Sequence, residues 1–159
     1  MTRSAVLLGL VVLFITVSCK RSEDDPGSGR LVLSINQKTA NTGGRKGSIA
    51  HVEKLFVSIQ TSDGVAVFTK HELRVTGEAK SEPLAISPGA YLITELIATD
   101  KDNQVLFATP KSGSELARFV TTPLSLPINL LADQEIDHPA DVVSVFNRTA
   151  NQFGYSSFF

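Results

Sequence analysis

Between residues 30 and 146 the apolar residues of this chain recur with period two in short runs, and no run sustains the 3.6-residue period of a helix. That alternation constrains the fold more than any other feature. Side chains of a strand point alternately to its two faces, so Leu31, Leu33 and Ile35, set against Val32, Ser34 and Asn36, predict a strand with one buried face. Residues 52–60 repeat the pattern, with Leu55, Val57 and Ile59 facing one way and Lys54, Phe56, Ser58 and Gln60 the other. Ser62-Asp63-Gly64 supplies a turn containing a residue that accepts positive φ, and 65–69 returns as the second arm of a hairpin. A weaker segment covers 71–75. Residues 83–87 form a short strand that runs into Ser87-Pro88-Gly89, where Pro88 presets φ for a tight turn and Gly89 accepts a left-handed conformation.

Residues 91–99 (YLITELIAT) are apolar on both faces and predict a central strand covered on both sides. Asp102-Asn103 turns the chain back into 105–108. Ser114 is placed to cap one helical turn through Phe119, although the stretch reads equally as a loop. Pro123 and Pro127 bracket Leu124-Ser125-Leu126, which predicts an edge strand or a bulged one, and 142–146 is the last strand. Seven or eight short strands at this spacing predict an all-β fold, an antiparallel β-sandwich occupying residues 30–159 as one domain.

The first 29 residues differ in kind. Arg3 is followed by thirteen uncharged residues, 5–17 (AVLLGLVVLFITV). That is the length of an export-signal core and too short to cross a bilayer core of about 30 Å as a helix. Ser18-Cys19 follows, and a small residue before a Cys at the end of such a run resembles a lipobox. Residues 1–18 are therefore expected to be a cleaved lipoprotein signal and Cys19 the lipid-modified N-terminus of the mature chain. Cys19 is the one Cys in the sequence, which excludes an intramolecular disulfide or a Cys-based zinc site. Residues 19–29 then read as a polar tether with Pro26, Gly27 and Gly29. With 15 Lys and Arg against 16 Asp and Glu, the chain has no broad electrostatic reason to bind nucleic acid.

No catalytic or metal constellation stands out. His51, His71 and His138 lie at no spacing that sets two ligands on one helical face. Asp133, Glu135 and Asp137 alternate and would share a face if extended, which raises calcium, but residues 132–139 (ADQEIDHP) read first as a solvated acidic loop. Ser112-Gly113-Ser114 lacks the strand-to-helix context of a nucleophile elbow. Arg45 and Lys46, in the Gly-rich loop 41–47, lack the spacing of a phosphate loop. Glu95 is the most anomalous residue, a carboxylate inside the central apolar strand. It must face outward and pair with a Lys or Arg, or sit buried with a raised pKa. The aromatics Phe153, Tyr155, Phe158 and Phe159 cluster near the C-terminus, and of these Tyr155, Phe158 and Phe159 are the candidates for a partner-binding patch. No catalytic residue, metal ligand or cofactor is expected.

Residues 84–92 (LAISPGAYL) resemble the strand–PG turn–Tyr–strand of transthyretin-like (prealbumin-like) modules. The run from 105 onward (VLFATPKSGSELARFVTTPLSLPINL, then DVVSVF and NQFGYSSF) resembles Bacteroidota lipoproteins in which a sandwich follows the lipid anchor. The acidic run Glu23-Asp24-Asp25 is similar to their surface-export signal, and a solvated linker has the same composition. The resemblance implies an outer-membrane, cell-envelope location, possible outward display and a sandwich fold, and carries no functional residue across. The expected role is a non-enzymatic, lipid-anchored module that binds an envelope protein or polysaccharide. Two alternatives are an assembly subunit that adds a β-strand along an edge such as 30–36, and an envelope hydrolase.

Overall fold

The computed structural model describes residues 27–38 and 48–159. Cys19, the signal, the acidic run 23–25 and the loop residues Arg45 and Lys46 lie outside the described residues. Nine strands follow one another: β1 (Gly29–Lys38), β2 (Lys54–Thr61), β3 (Ala66–Thr76), β4 (Lys80–Ser81), β5 (Leu84–Ile86), β6 (Gly89–Thr99), β7 (Val105–Ala108), β8 (Leu126–Leu130) and β9 (Glu135–Ser144). Between and after them lie short 3₁₀ turns, at Ile49–His51, Gly77–Ala79, Glu115–Phe119 and Ala150–Phe153.

The fold is all-β. Strand order is β2-β3-β4-β1-β9-β7-β6-β8, and an additional β2–β6 pairing joins the sheet to itself. Seven strands thereby close into a barrel, with β8 added along β6 and β5 along β1. The sequence led to expect two facing sheets. A barrel and a sandwich share the same inward–outward alternation, so periodicity alone does not separate them. What separates them is register: β6 is long enough to carry β2 along one edge and both β8 and β7, in succession, along the other.

The antiparallel expectation fails at one seam. β1 and β9 run parallel, from Arg30 opposite Glu135 to Lys38 opposite Val143. The stretch 132–139, expected to be an acidic loop, contributes the first half of β9. Its inward positions, Ile136 and His138, continue into buried Ala140 and Val142. Asp137 and Pro139 between them hide that alternation in the sequence. Pro139 is tolerated because over most of its length β9 has a described neighbour only on its β1 side, its β7 pairing being confined to Val143 and Ser144. The same seam removes the edge proposed for strand addition. β1 is bordered by β9 on one side and by β5 and β4 on the other, so 30–36 is not an open edge.

Inside the barrel, Leu31, Leu33, Leu55, Val57, Ile59, Ile93, Leu96, Ala98, Phe107 and Val142 are at most 1% exposed. Each large aliphatic side chain of that set contributes roughly 1.5–3 kcal/mol through burial. On the outside of β6, Ile97 pairs with Ala108 of β7, and both are also fully buried. A second layer covers them, as the two-faced apolar character of 91–99 predicted. It is the chain after β9, which returns across β7, β6 and β2.

Candidate functional site

The site is built where both neighbours of β2 are bulged against it. On the β3 side the register moves from Val57 opposite His71 to Ile59 opposite Phe68; on the β6 side it moves from Ser58 opposite Glu95 to Ile59 opposite Ile93. The surplus residues on the flanking strands include Lys70, which takes φ 45°, and Thr94. Bulges re-aim side chains and backbone groups out of the ladder. Here they converge on Ser58. Its hydroxyl accepts from the Lys70 backbone N–H at 3.0 Å and donates to Glu95 Oε2 at 2.8 Å, while its carbonyl accepts from Thr94 Oγ1 at 3.3 Å.

Glu95 resolves as an outward-facing, paired carboxylate. Its side chain is 22% exposed, and Oε1 lies 3.6 Å from Lys111 Nζ. A partly exposed pair at that distance is screened and adds little to stability. Its consequence is positional, because Lys111 Nζ also sits 4.5 Å from the centroid of the Tyr155 ring.

Tyr155 is 2% exposed and serves the wall of the barrel. Thr109 N–H donates to Leu96 O at 3.0 Å, as an antiparallel pair requires. The reciprocal bond is replaced by the tyrosine hydroxyl, which accepts from Leu96 N–H at 3.2 Å and donates to Thr109 O at 3.0 Å. Burial is the main reason its pKa is pushed up, and the nearby Glu95 charge adds to it against the opposing effect of the Leu96 bond. Gly154, at φ 82°, ends the preceding 3₁₀ turn and brings the chain into this position; a Cβ there would meet Lys111 Cβ at 3.0 Å.

Tyr155 therefore cannot be offered to a partner. Phe158 is half-buried, with its ring 5.6 Å from those of Phe153 and Tyr155. Phe159 is the presented aromatic: it is 56% exposed, stands edge-on to half-buried Phe56 at 5.0 Å, and has Lys70 Nζ 5.3 Å from its centroid. The same ammonium donates to Phe158 O at 3.0 Å and so fixes the aromatic segment to β3. The patch combines an exposed ring, a half-exposed ring and two lysines around a satisfied Ser–Glu pair.

The other candidates are dispersed. Asp137 binds Lys80 Nζ at 2.8 Å and accepts from the Ser34 hydroxyl; these two contacts, Lys80 first, hold its pKa below the usual carboxylate range. Asp133 occupies a turn at φ 56°. Among the described residues no group of three or more His, Cys, Asp or Glu is placed to hold a metal ion. His71 packs against Phe68 at 4.9 Å, His51 belongs to a 3₁₀ turn, and burial lowers the pKa of His138, against the pull of neighbouring Asp137. Sequence reasoning missed Asp141, a carboxylate 5% exposed that accepts from Thr121 N–H at 2.7 Å and pairs with Lys38 at 3.3 Å. The available signal was an acid one residue before the buried pair Val142-Val143. Lys70 and Lys111 gave no signal, since nothing local distinguishes them from other surface lysines.

No protein-family model matches the chain, and no curated protein does. Among solved structures, the fold is similar to part of a leucine-rich repeat protein from Bacteroides thetaiotaomicron VPI-5482, with a TM-score of 0.50 and 15% sequence identity. The match takes in 73% of this chain and 12% of that one, so this chain spans about an eighth of that protein's length and shares its fold over that part alone.

Proposed function

We propose that this protein is a lipid-anchored recognition module of the cell envelope, non-enzymatic, which binds a protein partner through the face formed by Phe159, Phe56, Lys70 and Lys111. The observation that carries this reading is Phe159, an aromatic 56% exposed yet held in place by an edge contact and a lysine. Aromatic side chains are enriched in protein interfaces, with charged groups such as lysines at the rim. A rigid barrel holds such a patch at low entropic cost on binding. The lipid anchor rests on Cys19 and the apolar run before it, and outward display on the acidic run 23–25. Membership in the transthyretin-like Bacteroidota lipoproteins, with the closed sheet as a rounded form of their sandwich, belongs to the same proposal. A polysaccharide partner is the second reading, favoured by the exposed ring of Phe159, which also suits stacking on a sugar face.

The test is affinity capture from intact cells carrying the full chain, compared with Phe159→Ala and with Phe146→Ala, a change at another exposed aromatic. Loss of the same captured protein in Phe159→Ala alone supports the reading. Equal capture by all three refutes it, and loss of capture on adding envelope polysaccharide moves the assignment to the second.

A further inference from the structure

The strand registers decide which loops share an end of the barrel. Gly29 is opposite Ile86, Arg30 opposite Glu135, Gly89 opposite Leu130, and Thr61 opposite Tyr91. The entry of the chain into β1, the β2–β3 turn, the β5–β6 turn and the β8–β9 turn therefore gather at one end. Lys38 opposite Val143, Lys54 opposite Thr99 and Phe107 opposite Ser144 mark the other.

The first end carries exposed apolar side chains. Val65 is 60% exposed, Leu131 58% and Val67 39%, three of the five most exposed large hydrophobics among the described residues. Pro88, at the tip of the β5–β6 turn, is exposed at the same end. Leu131 lies directly against the entering chain. Asp133 N–H donates to Ser28 O at 3.3 Å, Arg30 N–H donates to Gln134 O at 2.7 Å, and a Cβ on Gly29 would stand 2.6 Å from Leu131 O. The charged residues here are Asp63, Asp133, Glu135 and Arg30, an acidic excess that disfavours an anionic surface.

Cys19 precedes Gly29 by nine intervening residues, which fully extended span at most about 30 Å. A chain of roughly 130 folded residues has a radius of gyration near 14 Å. A lipid on Cys19 thus keeps the entry end within tether reach of the bilayer, so that end is the better placed of the two to meet it.

We infer that this end is a membrane-contacting surface, with Val65 and Leu131 seated in the interfacial region of a zwitterionic bilayer. Side chains of this kind add apolar contact at the headgroup boundary, and one lipid attachment gains from a second, weaker one. The inference rests on the lipid-anchor reading and goes beyond it, because it sets the orientation of the barrel. The side wall with Phe159 is then left open to a partner.

The experiment uses the full chain matured in cells, reconstituted in vesicles of phosphatidylethanolamine and phosphatidylcholine. Acylation consumes the one native thiol, so Val65→Cys, Leu131→Cys and Asp102→Cys each offer a single labelling site; Asp102 lies at the far end and is 69% exposed. A fluorophore at 65 or 131 should be quenched several-fold more by nitroxide-labelled lipid than one at 102. Flotation with the vesicles but equal quenching at the three sites overturns the orientation and leaves the anchor standing. Dye uptake by the protein with no introduced Cys shows a free Cys19, and overturns the anchor reading and this inference together.

Discussion

Replacing Tyr155 by Phe removes one oxygen and strands two backbone groups. Leu96 N–H and Thr109 C=O both reach the tyrosine hydroxyl, at 3.2 and 3.0 Å, and the side chain that joins them is 2% exposed. A buried polar group that loses its partner costs about 1–3 kcal/mol. Two such groups would cost about 2–6 kcal/mol if nothing moved. Closure of the ladder onto itself can recover part of that, so the expected loss is about 2–4 kcal/mol. For a domain of this size, 1 kcal/mol lowers Tm by roughly 3–5 °C, which puts the shift on the order of 10 °C. The assay is equilibrium unfolding in urea, read as a change in midpoint at unchanged slope. Tyr91→Phe is the internal comparison, because that hydroxyl donates to one acceptor, Ser87 O at 2.8 Å, in a partly exposed turn. Its expected cost is about 1 kcal/mol or less. Amide exchange adds a local readout: protection of Leu96 N–H should fall in Tyr155→Phe. If the two variants unfold at the same midpoint, the hydroxyl is not a member of the ladder and the reasoning fails.

Gly29→Ala should destabilise by about 1–3 kcal/mol in the same assay, because the added Cβ would lie 2.4 Å from Leu130 Cγ and 2.6 Å from Leu131 O. A double-mutant cycle on Glu95→Gln and Lys111→Met should give a coupling below about 1 kcal/mol that shrinks with added salt; a larger, salt-insensitive coupling would contradict the partly exposed geometry. His138 has its pKa lowered by burial, so the folded state resists a proton that the unfolded state accepts from about pH 6.5 downward. Stability should therefore decline as pH falls through that region, and His138→Leu should flatten this part of the curve. Asp137 has its pKa lowered by Lys80 and Ser34, so its contribution is present above its ordinary value of 3.8 and is lost as pH falls further. Urea titrations of Asp137→Asn and the unaltered protein should converge in acid.

The fold was legible where local chemistry dictates geometry. The Ser62–Gly64 turn, with Gly64 at φ 90°, and the two-faced strand over 91–99 follow from φ preferences and periodicity, and both are found where expected. The chain also reverses at Pro88, but Gly89 takes no left-handed conformation there: it is already the first residue of β6, paired with Leu130. The 65–69 and 71–75 segments are one strand, β3, because a bulge at Lys70 carries the chain on where alternation alone suggested a break. Barrel closure and the parallel β1–β9 seam depend on pairings between residues far apart, which no local pattern encodes. Glu95 was legible as an anomaly, but its partners were not, since Lys111 and Ser58 reach it only through the register of three different segments. The aromatic cluster was legible as a group. Its division into a ladder member, a packed ring and a presented one required the path of the chain after β9.

The parallel seam also governs when this protein can fold. Arg30 lies at the start of the barrel and its partner Glu135 more than a hundred residues later, so β1 has no β9 to bind until almost the whole chain is present. Contacts this distant slow folding, because the loop must close before the pairing stabilises anything. A chain synthesised from its N-terminus therefore carries β1 without its β9 partner for most of its length, and the barrel cannot shut ahead of its last strand.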